Sequence, residues 1–234
     1  MRPTRARAGR PVSLPSLQLF TSAELPAEEV FAHALRGEPT YLIGPSSGPP
    51  TSDLLPVADW TRAADVEDRA LLRLCRGSTL DIGCGPGRLT EQLGLLGHVT
   101  LGIDLVYEAV QQTVRRGAPA LRRDVFGPVP GEGRWDTTLL ADGNIGIGGD
   151  PTVLLGRVRR LLAPGGRIVV EVGPPGVRSV RFRARLGCDC GTSDPFSWAI
   201  VGVDDIATLA SRVGLVVAHR TRLGERWAVV LEEP

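Results

Sequence analysis

The chain contains no lysine; all 27 of its Lys and Arg positions are arginine. That excludes a Schiff-base or pyridoxal-phosphate lysine and the lysine of a phosphate-binding P-loop. Cysteine is scarce, with Cys75, Cys84, Cys188 and Cys190 the only four in 234 residues. The last two form a C-x-C with no second pair beside it, so free thiols are expected and a metal site is not. No apolar run approaches the ~20 residues of a transmembrane helix. None follows the basic start at Arg2, Arg5, Arg7 and Arg10 either, as a signal peptide requires, so Met1–Pro11 reads as a disordered tail. There is no charge excess: the formal net charge is +1, and bulk electrostatics do not point to nucleic acid. A composition 42% hydrophobic and 23% charged is that of a globular protein, and free thiols suit the cytoplasm.

The informative stretch is Thr79 to Arg88, Thr-Leu-Asp-Ile-Gly-Cys-Gly-Pro-Gly-Arg. Leu80 and Ile82 alternate with polar neighbours and predict a strand. Gly83, Gly85 and Gly87 predict a tight turn, and Leu89, Leu93 and Leu96 a helix after it. Such a turn lets the backbone approach a ligand closely, and the helix N-terminus offers free N–H groups. The dinucleotide fingerprint is G-x-G-x-x-G; here Arg88 and Leu89 stand where its last glycine belongs, which counts against NAD(P) or FAD. Asp104 follows a second strand, Val99–Ile103, where a carboxylate can accept hydrogen bonds from both ribose hydroxyls.

The flanking pattern alternates. Helices are expected over 65–75, 106–116 and 151–162, with strands over 118–121, 134–140 and, after Gly165-Gly166, 167–172. This is an α/β pattern with a parallel sheet and helices on both faces. Then Val180, Phe182 and Ala184 alternate with Arg181, Arg183 and Arg185, and 196–201 reads as a returning strand, so 174–203 is expected to be an inserted β-hairpin after strand five. A helix over 204–213 and a hairpin over 215–231 close the chain. Ahead of all this, a helix over 22–37, a short apolar stretch at 41–43 and a Gly44–Pro50 loop form an extension, residues 1–58, that covers a site on the main domain, 59–234.

Leu80 to Gly87 resembles motif I of the class I S-adenosylmethionine-dependent methyltransferases. Gly102-Ile103-Asp104 is similar to their second motif, Arg123-Asp124-Val125 to the acidic position after their third strand, and Leu162-Ala-Pro-Gly-Gly166 to their L-x-P-G-G. The resemblance implies a Rossmann-like, seven-stranded, mostly parallel sheet whose last strand is antiparallel. It implies S-adenosyl-L-methionine as cofactor. Asp81 and the turn through Gly83, Cys84, Gly85 and Gly87 would surround its methionine part. Asp104 would hold the ribose, Leu105 the adenine face, and Asp124 and Val125 the adenine amino edge. Ala141 and Asp142 would lie nearest the amino acid moiety and the methyl group. Methyl transfer from a sulfonium is an in-line displacement in which proximity and orientation supply much of the rate, so a general base is optional.

On the acceptor side, Asp142 and Asn144 are the candidate catalytic residues, and Asp150 suits the cap of the next helix. His33, in the covering segment, is a weaker candidate base. The loop lacks the Asn-Pro-Pro-Tyr or Asp-Pro-Pro-Tyr tetrapeptide of relatives that methylate nucleobase or glutamine amino groups, and no aromatic-plus-basic platform for single strands is present. Both argue against nucleic acid. Arg181, Arg183 and Arg185 form either a solvated face or a site for an acidic partner. The expected activity is methyl transfer to a small molecule, at oxygen or nitrogen rather than carbon, with no membrane partner. The rivals are an NAD(P)- or FAD-dependent oxidoreductase and a non-catalytic module that binds the same cofactor.

Overall fold

A computed structural model describes residues 24–44 and 52–234; the basic start and most of the Gly44–Pro50 loop lie outside them. The N-terminal segment gives β1 (Glu24–Leu25), α1 (Ala27–Leu35), β2 (Tyr41–Ile43), β3 (Ser52–Leu54) and α2 (Val57–Thr61). Helix α1 begins after Pro26, whose fixed φ suits a helix start, and carries Glu28 and Glu29 where the dipole favours them. The main domain follows with α3 (Val66–Leu72), β4 (Thr79–Ile82), α4 (Arg88–Leu95), β5 (Thr100–Asp104), α5 (Tyr107–Arg115), β6 (Ala120–Arg122) and β7 (Trp135–Leu140). After a 3₁₀ turn at Asn144–Gly149 come α6 (Pro151–Arg159), β8 (Leu162–Val172), β9 (Val180–Cys188), β10 (Gly191–Ser193) and β11 (Phe196–Ile200). The chain then closes with α7 (Ile206–Ser211), β12 (Val216–Leu223) and β13 (Arg226–Glu232).

The main sheet has seven strands in the order β12-β13-β8-β7-β4-β5-β6. Strands β4 to β8 pair in parallel, and β13 is antiparallel to both neighbours. Both faces are covered, and strand periodicity divides the core between them. Ile168, Val170, Val229 and Leu231 pack with Leu154, Leu155, Val158 and Ile206 of α6 and α7. Their neighbours Val169, Ala228 and Val230 turn to the other face, with Leu71 and Leu72 of α3 and Leu89 and Leu93 of α4. Strand β8 starts earlier than expected, at Leu162. Its pairing with β7 jumps from Trp135–Leu162 to Thr137–Arg167, so the Pro164-Gly165-Gly166 stretch bulges out of an otherwise continuous ladder.

The inserted hairpin is present, with β9 and β11 paired from Ala184–Phe196 to Val180–Ile200. It does not stand alone. Arg185 to Gly187 of β9 also pair with β2, and β10 pairs with β9 on one edge and β1 on the other. The N-terminal segment and the insertion therefore share a second, six-stranded sheet. Val30 of α1, Leu186 and Cys188 form its small core. The free-thiol expectation is corrected here: the tight turn at Asp189–Cys190 folds β10 back onto β9 and joins Cys188 to Cys190 as a disulfide, leaving Cys75 and Cys84 free and buried. Among the described residues no helix is long and apolar enough to cross a membrane.

Candidate active site

The three turn glycines have φ of +71°, +53° and +86° at Gly83, Gly85 and Gly87, a region that side chains avoid. A Cβ on Gly83 would fall 2.7 Å from the Asn144 amide nitrogen, and one on Gly87 2.6 Å from the Thr113 hydroxyl. A Cβ on Gly85 would meet nothing within 4 Å. The outer glycines are thus required by packing, while the middle one faces open space where a ligand can approach its backbone.

Asp104, half-buried at the end of β5, accepts the Gly85 N–H at 2.9 Å and the Val106 N–H at 2.8 Å. It ties the turn to the start of α5. Burial raises its pKa, against the lowering effect of those N–H groups. Thr113 donates to the Gly85 carbonyl at 2.9 Å and fixes the turn from the other side. Asp81 is fully buried, accepts the Thr90 hydroxyl at 2.6 Å, and is pushed by burial up to about 7. Burial also pushes the Cys84 thiol well up, so this cysteine packs against Gly102 as an apolar filler rather than serving as a nucleophile.

The remaining sequence candidates fall around this turn. Leu105 is 48% exposed beside Asp104. Asp124 is exposed and accepts the Phe126 N–H at 2.9 Å, while Val125 is buried. Ala141 is buried at the end of β7. Asn144 donates both amide hydrogens to backbone, to the carbonyls of Ile82 and Gly83 at 2.9 Å each, so it fastens the loop after β7 to the glycine turn. His33 lies apart from this group: its bond, 2.7 Å to Glu38, is local to the end of α1.

Asp142 has φ +50°, the one non-glycine residue in the left-handed region among the described residues. Its N–H donates to Glu171 at 2.8 Å. Its carboxylate accepts Arg88 at 2.6 Å and Arg226 at 3.3 Å. Arg226 also donates to Glu171 through Nε and Nη2, both at 2.7 Å, and to Asp68 at 2.6 Å. Arg88 is 3% exposed and pairs with Asp68 as well. For Asp68, burial would raise the pKa, but hydrogen bonds from Arg88, the Asp65 backbone and Arg226 outweigh it and hold the carboxyl well below the usual range. Burial also raises the Asp142 pKa, opposed by Arg88 and Arg226. Sequence reading missed Asp68, Arg88, Glu171 and Arg226. Only Arg88 carried a signal, its place directly after the last turn glycine.

A cleft of about 300 Å³ opens beyond the ends of β7 and β8. Its walls are Gly143 and Ile145 of the loop, Glu171 to Pro174, Trp198 and Ile200 of β11, and Glu225-Arg226 at the β12–β13 turn. Strand β11 lies directly on the 3₁₀ turn: a Cβ at Gly146 would strike the Trp198 indole and the Ala199 carbonyl. The three alternating arginines of β9 bond to the chain itself, two of them to acids. Arg181 grips Asp150 with two bonds of 2.8 Å, Arg185 binds Glu24 at 2.8 Å, and Arg183 donates to the Pro195 carbonyl at 2.9 Å. The acidic-partner reading of that face draws no support from them.

A family model described as a methyltransferase domain matches residues 80–170. A 37.1 kDa protein of transposon TN4556 from Streptomyces fradiae is 35% identical over 108 residues, 40% of this chain and 29% of that protein; the chain thus spans under a third of that relative's length. Among solved structures, a SAM-dependent methyltransferase from Bacteroides fragilis in complex with S-adenosyl-L-homocysteine is similar with TM-score 0.72 at 20% identity, over 89% of this chain and 97% of that one. The 1,6-didemethyltoxoflavin-N1-methyltransferase of Burkholderia thailandensis is similar with TM-score 0.55 at 21% identity, over 75% and 80%. The strand order and these similarities agree: residues 80–170 match a methyltransferase-domain model, and the chain shares the fold of the S-adenosylmethionine-dependent methyltransferases.

Proposed function

We propose that the chain transfers a methyl group from S-adenosylmethionine to a small-molecule acceptor, at oxygen or nitrogen, held in the cleft beyond β7 and β8. The observation that carries this is the position of the cleft. It shares the Gly143–Ile145 loop with the glycine turn through Asn144, at the strand ends where open α/β sheets bind ligands. The cofactor suits the residues present. Gly85 offers backbone with open space before it, Asp104 keeps lone pairs beyond the two backbone bonds for ribose hydroxyls, and Leu105 is exposed for the adenine face. Asp81, Gly83, Cys84 and Gly87 shape the methionine end, Asp124 and Val125 the adenine edge, and Ala141 the floor near the methyl group.

When bound, the cofactor supplies an electrophilic methyl on a sulfonium. The chain's part is positioning. Asn144 fixes the distance between turn and acceptor loop, and Asp142 orients the acceptor. The insertion 174–203 walls the cleft through Pro174, Trp198 and Ile200, the described part of the N-terminal segment braces that insertion through β1 and β2, and 59–234 is the methyl-transfer domain. The acceptor of the Burkholderia protein is by its name a small molecule, which supports the same class here. Calorimetry with S-adenosylmethionine and S-adenosylhomocysteine, then transfer of labelled methyl to metabolite fractions, tests the proposal. Tight NAD(P) binding without adenosylmethionine binding would favour the oxidoreductase, and cofactor binding without transfer the non-catalytic module.

A further inference from the structure

We infer that the acceptor is an amine with an apolar body, drawn into the cleft as its ammonium form; this rests on the methyl-transfer reading above. The cleft has a charged end and an apolar end. At the charged end, Glu171 and Arg226 line the wall and Asp142 adjoins Gly143 in it. Arg226 brings no free positive charge, because Glu171, Asp68 and Asp142 occupy its guanidinium. Traced outward, the network sets four carboxylates, Asp65, Asp68, Asp142 and Glu171, against three guanidiniums, Arg62, Arg88 and Arg226. One negative charge is in excess. Asp68 is sealed off at 0% side-chain exposure, whereas Glu171 lines the cleft and Asp142, next to the lining residue Gly143, keeps 32%, so the network meets the cleft through its acidic members as well as Arg226. Glu225 at the rim, paired with Arg222 at 2.6 Å, adds nothing positive.

At the apolar end stand Val172, Trp198 and Ile200, with Ile200 43% exposed. An indole beside a patch of negative charge suits a cation on an apolar frame, since its face attracts ammonium. A carboxylate ligand would be repelled at the charged end, and a neutral alcohol would leave the excess charge unmatched. In a partly desolvated site that difference is larger than in water. A volume of about 300 Å³ fits a small amine rather than a polymer.

The chemistry balances. The ammonium gives its proton to water in the open cleft, since Arg88 and Arg226 hold both Asp142 oxygens. The nitrogen lone pair then forms the C–N bond as the C–S bond breaks, with that electron pair leaving on sulfur. The products are an N-methylammonium and the thioether.

The test uses the full chain saturated with S-adenosylhomocysteine and three probes of one shape: phenethylamine, phenethyl alcohol and phenylacetate. By calorimetry the amine is expected to bind about ten- to a hundredfold more tightly than the alcohol, the range of a hydrogen bond to a charged group, with phenylacetate weakest. Glu171→Gln should shrink the amine preference, and Trp198→Leu, outside the ion network, should weaken the amine more than the alcohol. Equal affinities, tighter phenylacetate binding, or no amine binding at millimolar concentration would overturn the inference; equality would mean that the cofactor alone matches the excess charge. Failure of S-adenosylhomocysteine itself to bind would instead remove the methyl-transfer reading. A labelled product methylated at oxygen would remove the amine and leave methyl transfer standing.

Discussion

The two sheets are built by opposite rules. In the main sheet, β4, β5 and β6 are joined in sequence by α4 and α5, so each strand meets a neighbour supplied within about 20 residues. In the cover sheet, β2 pairs with β9 across more than 140 residues, Tyr41 opposite Gly187. The first arrangement concentrates the turn glycines and Asp104 on one short run of chain. The second joins the N-terminal segment to the insertion, parts that have no local reason to meet. A site that must hold one fixed cofactor and one variable substrate is well served by that division.

The comparison breaks most visibly where the C-terminal hairpin enters the main site. Arg226→Leu strands Asp68, Asp142 and Glu171 without their shared cation, and is expected to cost about 3–5 kcal/mol in denaturant unfolding. A loss under about 1 kcal/mol would mean that the network is dispensable. Asp81 tests the opposite side. Its folded pKa of about 7 lies above the ordinary 3.8, so the folded state prefers the proton, and Asp81 weakens the fold progressively as pH rises from about 4 to 7. Asp81→Asn should therefore stabilise the cofactor-free protein at pH 8 by up to about 4 kcal/mol, and hardly at all at pH 4. An equal gain in melting temperature at both pH values would contradict the burial argument.

Smaller effects separate cradle from cover. Asp104→Ala should weaken adenosylmethionine binding by ~1.5–3 kcal/mol in calorimetry; an unchanged dissociation constant would end its assignment to the ribose. Asp150→Ala removes the α6 cap and the Arg181 staple together and should cost about 1 kcal/mol of stability. Its acceptor KM should rise while cofactor affinity holds, and parallel losses of both would show that cover and cradle are not separable. His33→Gln is expected to leave turnover unchanged, since its imidazole is occupied by Glu38.

Legibility follows the same division. The strand, the glycine turn and the places of Asp81 and Asp104 on them could be read because one turn and one strand end fix their spacing. So could Asp150, since a cap is a local device. The ion network could not: Asp68 and Arg226 are 158 residues apart, and a lone Asp or Arg on a helix or strand carries no mark of its partner. Arg181, Arg183 and Arg185 showed strand alternation but not their acids, because Asp150 and Glu24 come from different segments. Asn144 is a candidate for orienting substrate or cofactor, and its amide grips the turn; a polar residue in a glycine loop does not announce the carbonyls of Ile82 and Gly83 beside it.

The long-range pairing of β2 with β9 also sets an order of events at the ribosome. At ~5–20 residues per second, Tyr41 waits roughly 7–30 s before Gly187 is made. During that interval Val30 and Leu42 have no insertion to pack against, while β4, β5 and β6 are made and can pair in sequence. The glycine-turn half of the main sheet can pair first on the nascent chain, while the cover waits for the insertion. An early stop before residue 180 would leave β2 without β9 and β8 without β13, a fragment with unshielded apolar edges of the kind that chaperones hold.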